Sequence, residues 1–169
     1  DQHELNTIKK FSAKKKLFLL DCGCNYGFYS FYTASLSKYN FVISFEASPK
    51  TTEDFNKNLY LNKFENIVLK NMAISDHDNN QVSFNESLND WESSLTHNNF
   101  KEKRLTKINT TTIDTTLSKY SLENQFLFIK LDIEGHELQA IKGGKGVIKR
   151  YNPIIIVEFS KYIFENDVD

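Results

Sequence analysis

Short apolar runs alternate with helical patterns along most of the chain, and this alternation predicts a parallel sheet covered by helices. Leu17-Phe18-Leu19-Leu20 is a continuous apolar run, the pattern of a strand buried on both faces. Phe28 to Ser37 reads as a helix carrying Phe28, Phe31 and Tyr32. Phe41-Val42-Ile43-Ser44-Phe45 is a second strand, and Pro49 suits the first turn of the helix that follows. That helix carries Phe55, Leu59 and Leu61 on or near one face, and Ile67-Val68-Leu69 is a third strand. From Asp76 to about Thr116 the pattern changes to a polar, Asn-rich insertion. Within it, Gln81 to Phe84 and Lys107 to Ile113 alternate, which predicts exposed antiparallel strands. The stretch between them, Asn89 to Lys103, reads either as a functional loop or as a disordered one. Phe126 to Leu131 is a fourth buried strand. Asp132 to Gly135 then read as a turn, and His136 to Ile148 as one helix with Gly143, Gly144 and Gly146 near its end. Pro153 opens a fifth strand, Ile154 to Val157.

Composition narrows the function classes. A length of 169 residues gives a prior of one domain, residues 1–169, and 40% hydrophobic residues suffice for a packed core. The 21 basic and 22 acidic residues nearly cancel, which argues against a protein built to neutralise nucleic-acid phosphates. Only Arg104 and Arg150 are arginines, and Lys14-Lys15-Lys16 reads as a solvated strand entrance. No run approaches the roughly 20 apolar residues of a membrane span, and the polar start shows no signal peptide. Cys22 and Cys24 are too close for an easy disulfide and too few for structural zinc. Two free thiols suggest a reducing compartment, hence a cytoplasmic location.

The densest chemistry at the start of the chain is Asp21-Cys22-Gly23-Cys24-Asn25-Tyr26-Gly27, which follows a buried strand and opens a helix. Glycines there let the backbone turn sharply, and the amides of a helix start can face a ligand. Ligands of open parallel sheets sit at the carboxyl ends of the strands. Glu46 stands at the next strand end, where a carboxylate can accept two hydrogen bonds from a ribose diol. The spacing Gly-x-Asn-x-Gly differs from the dinucleotide pattern Gly-x-Gly-x-x-Gly, and Asp21 beside it would repel a pyrophosphate. An acid suits the ammonium and sulfonium of S-adenosylmethionine.

At this point the sequence resembles the FkbM family of S-adenosylmethionine-dependent methyltransferases. The resemblance is carried by Asp21 to Tyr29, Phe45-Glu46-Ala47-Ser48-Pro49, Asn58 to Asn62 and Asn71 to Asp76. Ile129 to Glu137, Lys142-Gly143-Gly144 and Ile156-Val157-Glu158 complete it in the family's order. Departures are Ser48, where the family usually has Asn, and Cys22 and Cys24 in place of small apolar residues. The resemblance implies an α/β fold with a Rossmann-like, doubly wound, mostly parallel sheet, the class I methyltransferase core. It also implies that Gly23, Asn25 and Gly27 line the methionine part of the cofactor, with Asp21 near its ammonium. Glu46, followed by Ala47, would hold the ribose, and Met72 and Ala73 would flank adenine, with Ser75 and Asp76 close by.

Asp132, Glu134, His136 and Glu137 form the densest titratable cluster, at the end of the fourth strand. In one reading Asp132 or Glu134 orients or deprotonates an acceptor hydroxyl, with His136 assisting. In another, Asp132, Glu134 and His136 bind a divalent metal. In a third, Glu134 and Glu137 complement the positive end of the next helix. Trp91, Ser93 and Ser94 in the insertion are candidate acceptor contacts, and Glu158 could also face the pocket.

The expected function is methylation of a hydroxyl on a glycan, glycolipid or small metabolite, with no nucleic-acid partner and no membrane span. A nicotinamide-dependent oxidoreductase fragment and a catalytically silent binding module are the alternatives. Oligomeric state does not follow from the sequence. The missing Met at position 1, and five strands where this architecture usually adds a final hairpin, suggest a chain trimmed from a longer protein.

Overall fold

The computed structural model describes residues 2–87 and 103–158. Five strands form the main sheet: β1 (Leu17–Cys22), β2 (Phe41–Phe45), β3 (Ile67–Lys70), β7 (Phe126–Leu131) and β8 (Ile154–Val157). Their order is β3-β2-β1-β7-β8, and every pair is parallel. The chain therefore starts in the middle of the sheet, winds to one edge, then crosses β1 and fills the other side. This is the doubly wound, Rossmann-like arrangement, and its switch point lies between β1 and β7.

Residue alternation along the central strands explains the two layers. Leu17, Leu19, Val42 and Phe128 face one side, where they pack with Ile8, Ala34 and Phe55. Phe18, Leu20, Ile43, Phe45, Ile129 and Leu131 face the other, against Ile113, Leu117, Ala140 and Val147. The first side is covered by α1 (Gln2–Ser12), α2 (Phe28–Leu36) and α3 (Pro49–Asn62). The second is covered by α4 (Ile113–Leu117), α5 (Glu137–Gly143) and α6 (Lys145–Tyr151).

Four features differ from the sequence pattern or add to it. The stretch before the first strand is helical: Leu5 and Ile8 are buried, and Phe11 meets Phe126 and Phe128 edge-on at 4.9 and 5.4 Å. The single helix expected over His136 to Ile148 is two helices. Asp114 of α4 accepts the amides of Gly146 and Val147 at 2.9 and 2.8 Å, capping α6 as a separate helix. Ile113 does not end a strand. The side chain of Thr112 accepts the Thr115 amide and caps α4, where Ile113 is the first residue. The two alternating segments of the insertion pair antiparallel as expected, and a further short strand joins them in parallel, which makes the small sheet mixed. It comprises β4 (Ala73–Ile74), β6 (Lys103–Thr111) and β5 (Gln81–Ser87), with β4 parallel and β5 antiparallel to β6. It thus begins before Asp76, and it is only partly exposed, since Phe84 and Ile108 pack against Ala73.

Candidate functional site

The carboxyl ends of β1, β2 and β7 meet around a cleft of about 340 Å³. Its first wall is the turn after β1. Gly23 has φ +74°, and a β-carbon there would lie 1.8 Å from the backbone oxygen of Asp132. Glycine is required because the two turns touch backbone to backbone. Gly27, at φ +91°, opens α2 with no room beside the rings of Phe55 and Phe31.

The amides of this turn are already engaged. Gly23 and Cys24 both donate to the carbonyl of Phe45 at 2.9 Å, and Gly27 donates to Cys24 at 2.8 Å. Asn25, at φ +49°, donates its amide to Glu46 Oε2 at 2.9 Å. A pyrophosphate would need such amides free.

Glu46 forms the second wall. Its Oε1 accepts the Ser48 amide at 2.8 Å, so both oxygens are pinned by backbone. The loop behind it is clamped by Asn71, whose side-chain amide donates to the carbonyls of Glu46 and Ala47 at 2.8 and 3.0 Å. Burial pushes the Glu46 pKa up to about 7, although the amides of Ser48, Asn25 and Ala47 pull the other way.

The third wall is the turn after β7. Glu134 and Gly135 are both left-handed, at φ +52° and +96°. Glu is uncommon there, and such positions persist when surroundings enforce them. The enforcing group is Glu137, buried at the start of α5, whose Oε1 accepts the amides of Ile133 and Gly135 at 3.1 and 3.2 Å. Asp132 Oδ2 accepts a 2.9 Å bond from Lys130, a lysine only 5% exposed.

The predicted residues divide into groups. Gly23, Asn25, Glu46, Ala47, Met72, Ala73, Asp132, Glu134 and Glu158 line the cleft. Asp21, Gly27, Ser75 and His136 do not. Asp21 is fully buried, with Oδ2 accepting from Ser30 at 2.6 Å, and burial raises its pKa. Ser75 and His136 bond each other, Oγ to Nε2 at 3.1 Å, and burial lowers the His136 pKa. Trp91, Ser93 and Ser94 lie outside the described residues. Among the described residues no group of three or more His, Cys, Asp or Glu side chains is arranged to hold a metal ion.

Phe45, Ser48, Thr51, Ile74, Phe84 and Ile133 also line the cleft. Phe84 was legible only as one position of an alternating strand. The contribution of Lys130 had a sequence signal, a single charge inside the apolar run Phe126 to Leu131. Together the lining sets an apolar wall of Phe45, Met72, Ala73, Ile74 and Phe84 beside four carboxylates, Glu46, Asp132, Glu134 and Glu158. No basic side chain lines it among the described residues.

Fold and cleft position define the class: a Rossmann-like domain of the class I methyltransferase type. The chain belongs to the family of the methyltransferase FkbM domain, whose profile matches residues 21–169. Among solved structures it is similar to the FkbM methyltransferase from Methylobacillus flagellatus KT, with a TM-score of 0.56 and 21% identity. That match covers 88% of this chain and 33% of the other. It is also similar to precorrin-6y C5,15-methyltransferase from Geobacter metallireducens GS-15, with a TM-score of 0.54 and 13% identity, over 96% of this chain and 65% of that one. The chain therefore spans about a third of the first and less than two thirds of the second. No curated protein matches the chain in sequence at a significant level. Among the described residues no helix is long and apolar enough to cross a membrane.

Proposed function

We infer that the chain binds S-adenosylmethionine in this cleft and methylates a hydroxyl of a glycan, glycolipid or small metabolite. The observation that carries the reading is the charge of the cleft. An apolar wall next to four carboxylates, with no lining cation, suits a flat base joined to a cationic chain. The same carboxylates disfavour a pyrophosphate, and the engaged amides of Gly23, Cys24 and Asn25 leave little to bind one.

Each wall then has a task. Glu46 accepts the ribose hydroxyls through the lone pairs its backbone bonds leave. Met72, Ala73 and Phe84 enclose the base, and Gly23 and Asn25 border the amino-acid part. Gly27 and Asp21 act from beneath, keeping the turn in shape. When bound, the cofactor supplies an electrophilic methyl group on a sulfonium. Asp132 and Glu134 stand where an acceptor hydroxyl would be oriented and its proton received, and Glu158 borders the same opening. His136 is held by Ser75, so its role is to support the turn. Holding acceptor and methyl in near-attack geometry can supply roughly 7–11 kcal/mol. Trp91, Ser93 and Ser94 remain the candidates for acceptor selection.

Titration calorimetry with S-adenosylhomocysteine and with NAD tests the reading. S-adenosylhomocysteine binding with no NAD binding is the expected result. NAD binding alone would replace this function with a nicotinamide-dependent one.

A further inference from the structure

The sheet face beneath α1 and α2 is apolar over most of its length, but one rung near the carboxyl rim is polar. Across three neighbouring strands in register it reads Ser44, Asp21 and Lys130. All three are buried. Ser30 of α2 donates to Asp21 Oδ2 and shares a 2.7 Å bond with Ser44 Oγ. Asp21 Oδ1 is buried with no hydrogen-bond partner among the described residues. Lys130 Nζ donates to Asp132 Oδ2 at 2.9 Å and lies 4.9 Å from the centroid of the Tyr29 ring. The Tyr29 hydroxyl donates to Glu4 of α1.

A buried ammonium carries a heavy desolvation cost, so its surroundings must compensate. Burial pulls the Lys130 pKa down, but Asp21, Asp132 and Glu158 outweigh it and hold the pKa above its ordinary value. Lys130 is thus a permanent cation between one acid that cannot reach the cleft and one that lines it.

We propose that Lys130 is a positioning residue: its ammonium, held between Asp21 and the Tyr29 ring, fixes Oδ2 of Asp132 and leaves Oδ1 for the ligand in the cleft. Two acids in succession explain why a lysine, and not an apolar residue, occupies a buried strand. Asp21 keeps the cation charged and in place, and Asp132 receives its orientation from it. What Asp132 does to an acceptor rests on the methyl-transfer reading, but the positioning itself does not. The competing role is purely structural, in which Lys130 only neutralises Asp21.

The two roles separate in Asp132→Asn, a change at the partly exposed rim that leaves Asp21 in place. The readout is the titration of Lys130 Nζ, followed by NMR on the ligand-free protein and compared with wild type. Positioning predicts a midpoint lowered by about one pH unit, because a bonded carboxylate favours the ammonium. An unchanged midpoint would overturn the proposal and leave Lys130 a structural counter-ion of Asp21. Should Asp132→Asn not fold, Asp132→Ser is read in the same way, and the same two outcomes decide. Neither measurement uses a cofactor. Failure of wild-type protein to bind S-adenosylhomocysteine would remove the methyl-transfer reading and leave these results readable.

Discussion

Glu46 and Asp132 stand on the same rim of the sheet and line the same cleft, yet they are held in opposite ways. Glu46, after β2, is pinned by backbone amides from Asn25 and Ser48. Asp132, after β7, is pinned by the side-chain cation of Lys130. Amides fix a carboxylate's position without cancelling its charge, so burial wins and the pKa of Glu46 rises to about 7. A bonded cation fixes position and compensates charge together. One rim of the cleft therefore changes its protonation near neutrality, while the other carries a built-in counter-ion.

The most damaging way to break this comparison is to push the two rims apart. Gly23→Ala would place a carbon against the Asp132 carbonyl at a left-handed position. A loss of about 4 kcal/mol is expected in a denaturant melt, enough to threaten folding outright. A variant as stable as wild type would show that the rims do not depend on this contact.

The next test uses pH. The folded-state pKa of Glu46 lies above its ordinary 4.5, so the folded protein holds a proton that the unfolded chain has released. The stabilisation is full below about pH 4.5 and is lost as pH rises through about 7, a contribution of up to about 3 kcal/mol. Binding runs the other way, since ribose hydroxyls need an ionised acceptor. Affinity for S-adenosylhomocysteine should rise towards pH 7, approaching about tenfold per unit on the acid side. Melts and calorimetry between about pH 5 and pH 8 read both slopes. Parallel slopes, rather than opposed ones, would contradict the placement of Glu46 against the ribose.

Substitution sharpens the difference further. Glu46→Gln is expected to weaken S-adenosylhomocysteine about a hundredfold, the scale of two charge-assisted bonds. Asp132→Asn should keep that affinity within about fivefold while lowering methyl transfer, because its partner is the acceptor. Equal losses of affinity would put both acids on the cofactor. The smallest effect is expected at Ser75→Ala, which removes the bond to His136. It should cost about 1 kcal/mol of stability and leave S-adenosylhomocysteine binding unchanged. A large loss of affinity would return Ser75 and His136 to the binding wall.

The two rims were also unequally legible. Glu46 could be picked out because it directly follows the mostly apolar run Phe41 to Phe45, one strand beyond a glycine turn. Asp132 stands out as part of an acidic cluster, whereas its partner is marked only by a single charge inside an apolar run. Lys130 reads as one polar letter within a buried strand, and nothing local says that Asp21 will lie beside it. The same limit explains the helix α1, whose sparse apolar positions Leu5, Ile8 and Phe11 gain meaning only against Phe126 and Phe128. It explains the break before α6 as well, because its cap, Asp114, comes from another helix. Glu137 does stand in the first turn of α5, and only the fold shows that it is also the buried acceptor that holds Glu134 in its left-handed turn.

By itself the sequence determined the five parallel strands and the two turns at the cleft. Continuous apolar runs can be satisfied only in a sheet covered on both faces, and left-handed turns select glycine. Only the tertiary structure decided which acids reach the cleft and which lie beneath it. Asp21 and Glu46 both stand near the carboxyl end of a strand and beside the same glycine turn. Asp21 lies within β1 and points into the layer under α2, whereas Glu46 stands two positions past Asp21's neighbour Ser44, beyond the end of β2, at the open rim; where each strand ends separates them. Charge compensation draws on both levels, because the buried lysine bonds Asp132 two residues along its own chain and meets Asp21 only across strands.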